Sequence, residues 1–156
     1  MCDCSRRGWV PGQKQTQRGG RGVSSAGFSA TTVWGPIVWR ALHDLAEVAG
    51  DNELWEELGR VLPGALPCVE CQGHMTAWIA ANPLGAMEPR KWMLAAHNAV
   101  NRRMGHRVWS IEELTAVYKG CDRLMLTLEL RDMVRELGES GMLGVAAVHV
   151  IERMVE

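Results

Sequence analysis

The stretch Leu66-Pro67-Cys68-Val69-Glu70-Cys71-Gln72-Gly73-His74 constrains this chain more than any other. Cysteines three positions apart lie one helical turn apart, close enough to bond to each other or to share a metal. Pro67 suits a helix entry, because its missing N–H is one of the groups a first turn leaves unpaired anyway. Cys68 then stands at the positive end of a helix, where a thiolate is stabilised and the thiol pKa falls. Three readings fit this stretch. It is a redox disulfide that exchanges electrons with other thiols, a metal site with His74 as third ligand, or two buried cysteines packed as small apolar groups.

The rest of the composition narrows the class. A chain of 156 residues with 47% apolar content holds one domain, with room for a tail, and can bury a real core. A net charge of −1 gives no global signal for nucleic acid, and five cysteines are too few for a disulfide scaffold. No charged-then-apolar run reads as a secretory signal, and no apolar stretch is long enough to span a bilayer. Residues 1–28 differ from the remainder: Arg6, Arg7, Arg18 and Arg21 alternate with glycine and glutamine, and Trp9 and Phe28 are the sole aromatics. Such a segment buries too little apolar area to offset its ordering entropy and reads as a flexible arm. It carries Cys2-Asp3-Cys4, either a mobile thiol pair that serves the main dithiol or two incidental exposed thiols.

From Thr31 the pattern is helical. Trp34, Ile37, Val38, Ala41, Leu42, Leu45 and Ala49 form one apolar face, with Thr31 or Thr32 as cap, Pro36 in the first turn and Gly50 as the end. Trp39 and His43 share a neighbouring stripe, which by itself reads as core and rim. A second helix is predicted over 52–62, broken by Pro63-Gly64. The dithiol helix runs from Pro67 to Asn82-Pro83, and a fourth runs from Pro89 to Gly105. The fourth carries His97-Asn98-Ala99-Val100-Asn101-Arg102-Arg103. An imidazole and two amides on one helix face are expensive in a core unless something polar binds there. A phosphate-bearing ligand with a flat ring would satisfy them; a solvated face ending in basic residues is the plainer reading. Ser110-Ile111-Glu112-Glu113 is a capping box for a fifth helix that continues towards Leu137 with a break near Gly120-Cys121, and 145–155 form a last short helix. No strand alternation, internal repeat, phosphate-binding glycine fingerprint or Ser/His/Asp set is present. The expected architecture is a small all-α bundle.

Taken in order, the chain offers Trp34-Gly35-Pro36-x-x-Trp39-x-x-x-His43, Pro67-Cys68-x-x-Cys71-x-x-His74, Asn82-Pro83, Trp92, His97-Asn98-x-Val100-Asn101, Trp109 and Tyr118. This order and spacing resembles the Erv/ALR family of FAD-linked sulfhydryl oxidases, in the style of the short forms of large DNA viruses, over residues 33–118. The resemblance implies a four-helix bundle with a short fifth helix, FAD in its mouth, and a homodimer. It divides the chain into the arm 1–28, an oxidase domain 29–120 and a helical C-terminal extension 121–156. By motif, Trp34, Gly35, Trp39 and His43 would line the flavin, His97, Asn98, Val100 and Asn101 would hold the adenosine part, Trp109 and Tyr118 would pack near the adenine, and His74 would be a further cofactor-binding residue. The implied catalytic pair is Cys68, attacked by a substrate thiolate, and Cys71, which passes electrons to the flavin and on to dioxygen with hydrogen peroxide as product. Cys2 and Cys4 stand where some relatives carry a shuttle pair.

The departures from the family pattern are specific. Cellular members carry a further cysteine pair; here Ile111 stands at its first position and Cys121 is off the partner's spacing, so no such staple is expected. Cys121 reads as a buried thiol. His106 replaces a common lysine, leaving Arg103 or Arg107 to meet phosphates. The implied partners are protein thiols, a thioredoxin-like or small dithiol carrier among them, and dioxygen, with no nucleic acid, membrane or metal. A viral relative would work in host cytoplasm or the virion, a cellular one in the mitochondrial intermembrane space. The rival from another class is a structural zinc module using Cys68, Cys71, His74 and His97.

Overall fold

The computed structural model describes residues 31–50 and 53–156, so Cys2, Cys4 and the arm around them lie outside the described residues. Among the described residues the chain forms seven helices and no strand. They are α1 (Thr31–Val48), α2 (Leu54–Ala65), α3 (Val69–Ala81), α4 (Pro89–Met104), α5 (Ile111–Tyr118), α6 (Arg123–Glu139) and α7 (Val145–Met154). The all-α class read from the sequence is the observed one.

The ends obey local chemistry. Pro89 occupies the first turn of α4, and Gly105 closes it at φ 68°, the left-handed cap for which a residue without Cβ is suited. The capping box opens α5: Glu113 N–H donates to Ser110 Oγ at 3.2 Å and Ser110 N–H to Glu113 Oε2 at 2.9 Å. The expected break falls after Tyr118, where Gly120 takes φ 75° and Asp122 caps α6 by accepting from Met125 N–H at 2.9 Å.

Three boundaries differ from expectation. α1 already starts at Thr31, so Pro36 lies beyond its first turn and removes one hydrogen bond there. α2 does not stop at Pro63 but continues to Ala65. Pro63 has no N–H to give the carbonyl four residues before it, and burial of Ala65 and Leu66 holds the extra turn against the lost bond. Pro67 precedes rather than opens α3, whose N-cap is Cys68 itself.

Packing follows the chain order only in part. α4 lies against α1, α3 against α2 and α5 against α4, whereas α6 packs on α1, α7 on α2, and the two against each other. The C-terminal extension is therefore part of the core. Leu126, Leu130, Val134 and Leu137 form one buried stripe of α6, and Ala147, Val148, Val150, Ile151 and Met154 are the buried residues of α7. Positions 41–46 of α1 are all buried, six in a row, because α4 and α6 both cover that helix.

The turn between α6 and α7 comes closest to the body of the fold at Gly144. Its N–H donates to Ala65 O at 2.8 Å, and a Cβ on it would stand 2.9 Å from Ala65 Cα. At φ −67°, ψ 144° an alanine is tolerated by the backbone, and Gly→Ala normally stabilises through the unfolded chain. Here the backbone collision decides the sign. Gly144→Ala is expected to lower stability by about 1–3 kcal/mol in urea unfolding, as overpacked sites do.

Candidate active site

Cys68 and Cys71 form a disulfide across the first turn of α3, with Cα atoms 5.1 Å apart. The geometry follows from the cap. Cys68 is extended at φ −123°, ψ 116°, and its Sγ accepts the backbone N–H of Cys71 at 3.2 Å. A sulfur that already receives a helix N–H is stabilised as a thiolate once the bond opens. Both sulfurs are half-buried against the core. The turn around them is open: Pro67 and Glu70 are exposed, and Val69 is 83% exposed, so another protein can reach the bond. Gln72 Nε2 ties the turn back by donating to Leu66 O at 2.7 Å.

A second constellation joins α1 to α4. His43 Nε2 and His97 Nδ1 lie 3.1 Å apart, one donating and the other accepting. Trp39 stacks on His97, with ring centroids 4.2 Å apart and planes within 3°. The two imidazoles are 1% and 2% exposed. Burial lowers the pKa of His43 to about 3, and burial, with the neighbouring His43 and His106, lowers that of His97 to about 3. Both rings are thus neutral at physiological pH, the condition under which one can donate to the other.

This pair sets a pH dependence. The unfolded histidines bind protons below about pH 6.5 while the folded ones do not, so the unfolded state gains protons between pH 6.5 and about 3. Stability is fully present above that window and falls as the pH drops through it. Each histidine contributes a slope of about 1.4 kcal/mol per pH unit. Urea unfolding at a series of pH values is expected to show this decline, and His97→Gln to flatten it. An equal slope in the variant would show that other groups carry it.

The remaining sequence-predicted residues are distributed as follows. Trp34 is buried at the start of α1, and its indole N–H, like that of Trp78 in α3, is buried without a hydrogen-bond partner among the described residues. Gly35 is buried, and a Cβ there would meet nothing within 4 Å among the described residues. Asn98 spends its amide on a loop: its Nδ2 donates to Trp109 O at 2.7 Å, and Trp109 N–H donates to its Oδ1 at 2.9 Å. That bidentate clamp seats Trp109, whose ring also receives the Arg107 guanidinium at 4.8 Å. Asn101 is buried and Val100 half-buried, while Arg102 and Arg103 are exposed at the end of α4. Tyr118 donates its hydroxyl to Asp44 Oδ1 at 2.7 Å, which ties the end of α5 to α1. His74 stands on the exposed side of α3, its Nε2 3.3 Å from Glu70 Oε1.

Asp44 was not singled out in the sequence, yet it is fully buried, with Arg40 Nε 3.6 Å from its Oδ2. An acid directly after His43, inside the apolar stripe of α1, was the available signal. Trp92 anchors the other end of the site: its Nε1 donates to Asn82 O at 2.6 Å, and its ring meets Trp78 edge-on at 6.4 Å. Among the described residues no three His, Cys, Asp or Glu side chains converge to hold a metal ion. The zinc reading thereby loses its donor set, since Cys68 and Cys71 are bonded to each other and His74 turns to Glu70. A cavity of about 500 Å³ lies beside Glu47, Gly50, Met87 and Arg90 at the far end of α1 and is lined by none of these residues.

Residues 37–119 match the sequence model of the Erv1 / Alr family. The chain belongs to the Erv1 / Alr family. Its relatives include the FAD-linked sulfhydryl oxidase of African swine fever virus, 32% identical over 95 residues that span 55% of this chain and 80% of that one. FAD-linked sulfhydryl oxidase ERV1 of Oryza sativa subsp. japonica is 29% identical over 91 residues, covering 53% of this chain and 47% of its own length. The protein of that name from Arabidopsis thaliana is 30% identical over 104 residues, covering 56% and 54%. No solved structure matches the chain. The Erv1 / Alr match runs from within α1 to the end of α5 and so includes the disulfide, the His43–His97 pair and the Asn98 clamp, while Trp34 and Gly35 precede it and α6 and α7 lie beyond it.

Proposed function

We propose that this chain is a FAD-linked sulfhydryl oxidase that makes disulfides in protein thiols. The single observation that carries the reading is the half-buried Cys68–Cys71 disulfide at a helix N-terminus within an Erv1 / Alr domain.

The chain's own part of the chemistry is thiol–disulfide exchange. A substrate thiolate attacks Cys68 Sγ, the S–S bond breaks, and Cys71 leaves as a thiolate. The second substrate thiol attacks the mixed disulfide and releases Cys68, so the substrate becomes the disulfide and the enzyme a dithiol. Cys68 is assigned to the substrate because it precedes the first turn, between the exposed Pro67 and Val69, whereas Cys71 lies one turn inside α3. When bound, FAD would supply the two-electron acceptor for the Cys68–Cys71 dithiol, with dioxygen as final oxidant and hydrogen peroxide as product. Atoms balance as two thiols and one dioxygen giving one disulfide and one peroxide.

The residues present fit that cofactor. Two buried indole N–H groups, on Trp34 and Trp78, want an acceptor the described chain does not give them. Trp39, half-buried and stacked on the neutral His97, offers a flat aromatic surface, and among the described residues nothing lies within 4 Å of where a Cβ on Gly35 would stand. We assign Trp34, Gly35, Trp39, His43 and His97 to the ring system and Val100, Asn101 and Trp109 to the adenosine part. Arg103 is assigned to the phosphates. Asn98 and Tyr118 act as positioning residues, the first by seating Trp109 and the second by fastening α5 to Asp44. Cys2 and Cys4 are proposed as a shuttle that hands electrons to Cys68. No described helix is long and apolar enough to cross a membrane.

The test is oxygen uptake with a reduced protein or dithiothreitol as thiol donor. The reading requires one peroxide formed per disulfide made. Thiol oxidation without oxygen uptake would overturn the assignment of the acceptor.

A further inference from the structure

Thiol–disulfide exchange leaves Asp44 without a task, although its carboxylate is fully buried in α1. A carboxylate taken out of water is costly unless its oxygens are engaged, so its partners indicate its role. Oδ1 accepts the Tyr118 hydroxyl at 2.7 Å, and Arg40 Nε stands 3.6 Å from Oδ2. Arg40 in turn reaches Glu129 of α6 at 3.5 Å. One acid of α1 thereby meets the end of α5 directly and, through Arg40, a helix beyond the Erv1 / Alr match.

The segment fastened in this way is the strap 109–118, which runs from Trp109 through α5 to Tyr118. α5 buries one residue, Leu114, so apolar packing alone holds it weakly. Polar ties supply the rest. Asn98 grips the Trp109 peptide group at 2.7 and 2.9 Å, Arg90 Nη2 donates to Thr115 Oγ1 at 3.2 Å, and Tyr118 closes the far end on Asp44. The two end ties fall on neighbours of the histidine pair: Asn98 follows His97, and Asp44 follows His43. The strap is thus pinned at one end to α4 and at the other to α1, the two helices that carry the Trp39–His97 stack. The Arg90–Thr115 bond is exposed, whereas the Tyr118–Asp44 bond ends on a buried carboxylate and is the stronger tie.

We propose that Asp44 is a positioning residue for the cofactor: it latches the strap 109–118 between α4 and α1, and the Asp44–Tyr118 bond sets how fast FAD leaves. The inference rests on the FAD reading of this site. Trp109, assigned to the adenosine part, sits on the strap, so loosening the strap's far end loosens the hold on the cofactor. Arg40, braced by Glu129, keeps the carboxylate turned so that Oδ1 remains available to Tyr118.

Release of FAD from the loaded full-length protein, followed as the rise in flavin fluorescence on dilution, tests this. Tyr118→Phe removes only a hydroxyl from a half-buried ring and is expected to speed release roughly tenfold, the factor that a hydrogen bond to a charged group is worth. Asp44→Asn keeps an acceptor oxygen for Tyr118 and is expected to fall between Tyr118→Phe and the parent. Amide exchange on the same loaded protein reads the strap itself: α5 should lose protection in Tyr118→Phe while α6 and α7 keep theirs, which a general loss of stability would not produce. Release from Tyr118→Phe at the parent's rate, faster release from Asp44→Asn than from Tyr118→Phe, or an equal loss of protection throughout would overturn the latch and leave the oxidase reading standing. A parent protein that takes up no FAD would overturn both.

Discussion

Cys71→Ala leaves a folded protein that does not turn over. Substrate thiolate then meets a lone Cys68 thiol, with no S–S bond to break and no partner thiolate to release. Loss of a covalent catalytic group lowers the rate by roughly 10³-fold or more. The fold should survive, because a disulfide closing so short a loop constrains the unfolded chain little. The loop-entropy relation gives about 2 kcal/mol, within the margin of a domain this size. Circular dichroism and oxygen uptake on the same preparation separate the two effects. Native melting with full activity would remove the disulfide from the mechanism.

The largest loss of stability is expected at Trp92. It is 2% exposed, its indole N–H donates to Asn82 O at 2.6 Å, and its ring meets Trp78 edge-on. Trp92→Ala removes the ring from the core and strands a carbonyl at the end of α3, at a cost of about 3–5 kcal/mol. Trp92→Phe keeps most of the apolar area and loses the hydrogen bond, and should cost less than half of that. Urea unfolding measures both. Equal, small losses would mean that α3 is held to α4 by something other than this tryptophan.

The sequence made the site's ingredients legible more readily than their partners. Helix periodicity and caps placed α4 and α5 closely, because Pro89, Gly105 and the Ser110–Glu113 box act within one turn. His43 and His97 each stood out as polar on an apolar helix, but their contact at 3.1 Å joins residues 54 apart and depends on how α1 and α4 cross. Asn98 shows the limit most plainly. The argument that a buried amide needs something polar was sound, and here the polar partner is the Trp109 peptide group, in a loop whose path no local rule determines. Asp44 was hidden because its acceptor role depends on Tyr118, contributed by a different helix. The extension was the least legible part, since amphipathic stripes on α6 and α7 specify that they bury a face, not which one.

The most direct test of the account is the visible spectrum of the purified protein, before and after anaerobic addition of dithiothreitol. The account predicts a flavin spectrum that bleaches with the reductant and recovers in air, and that barely bleaches in Cys71→Ala. A colourless protein that takes up no FAD on reconstitution would contradict it.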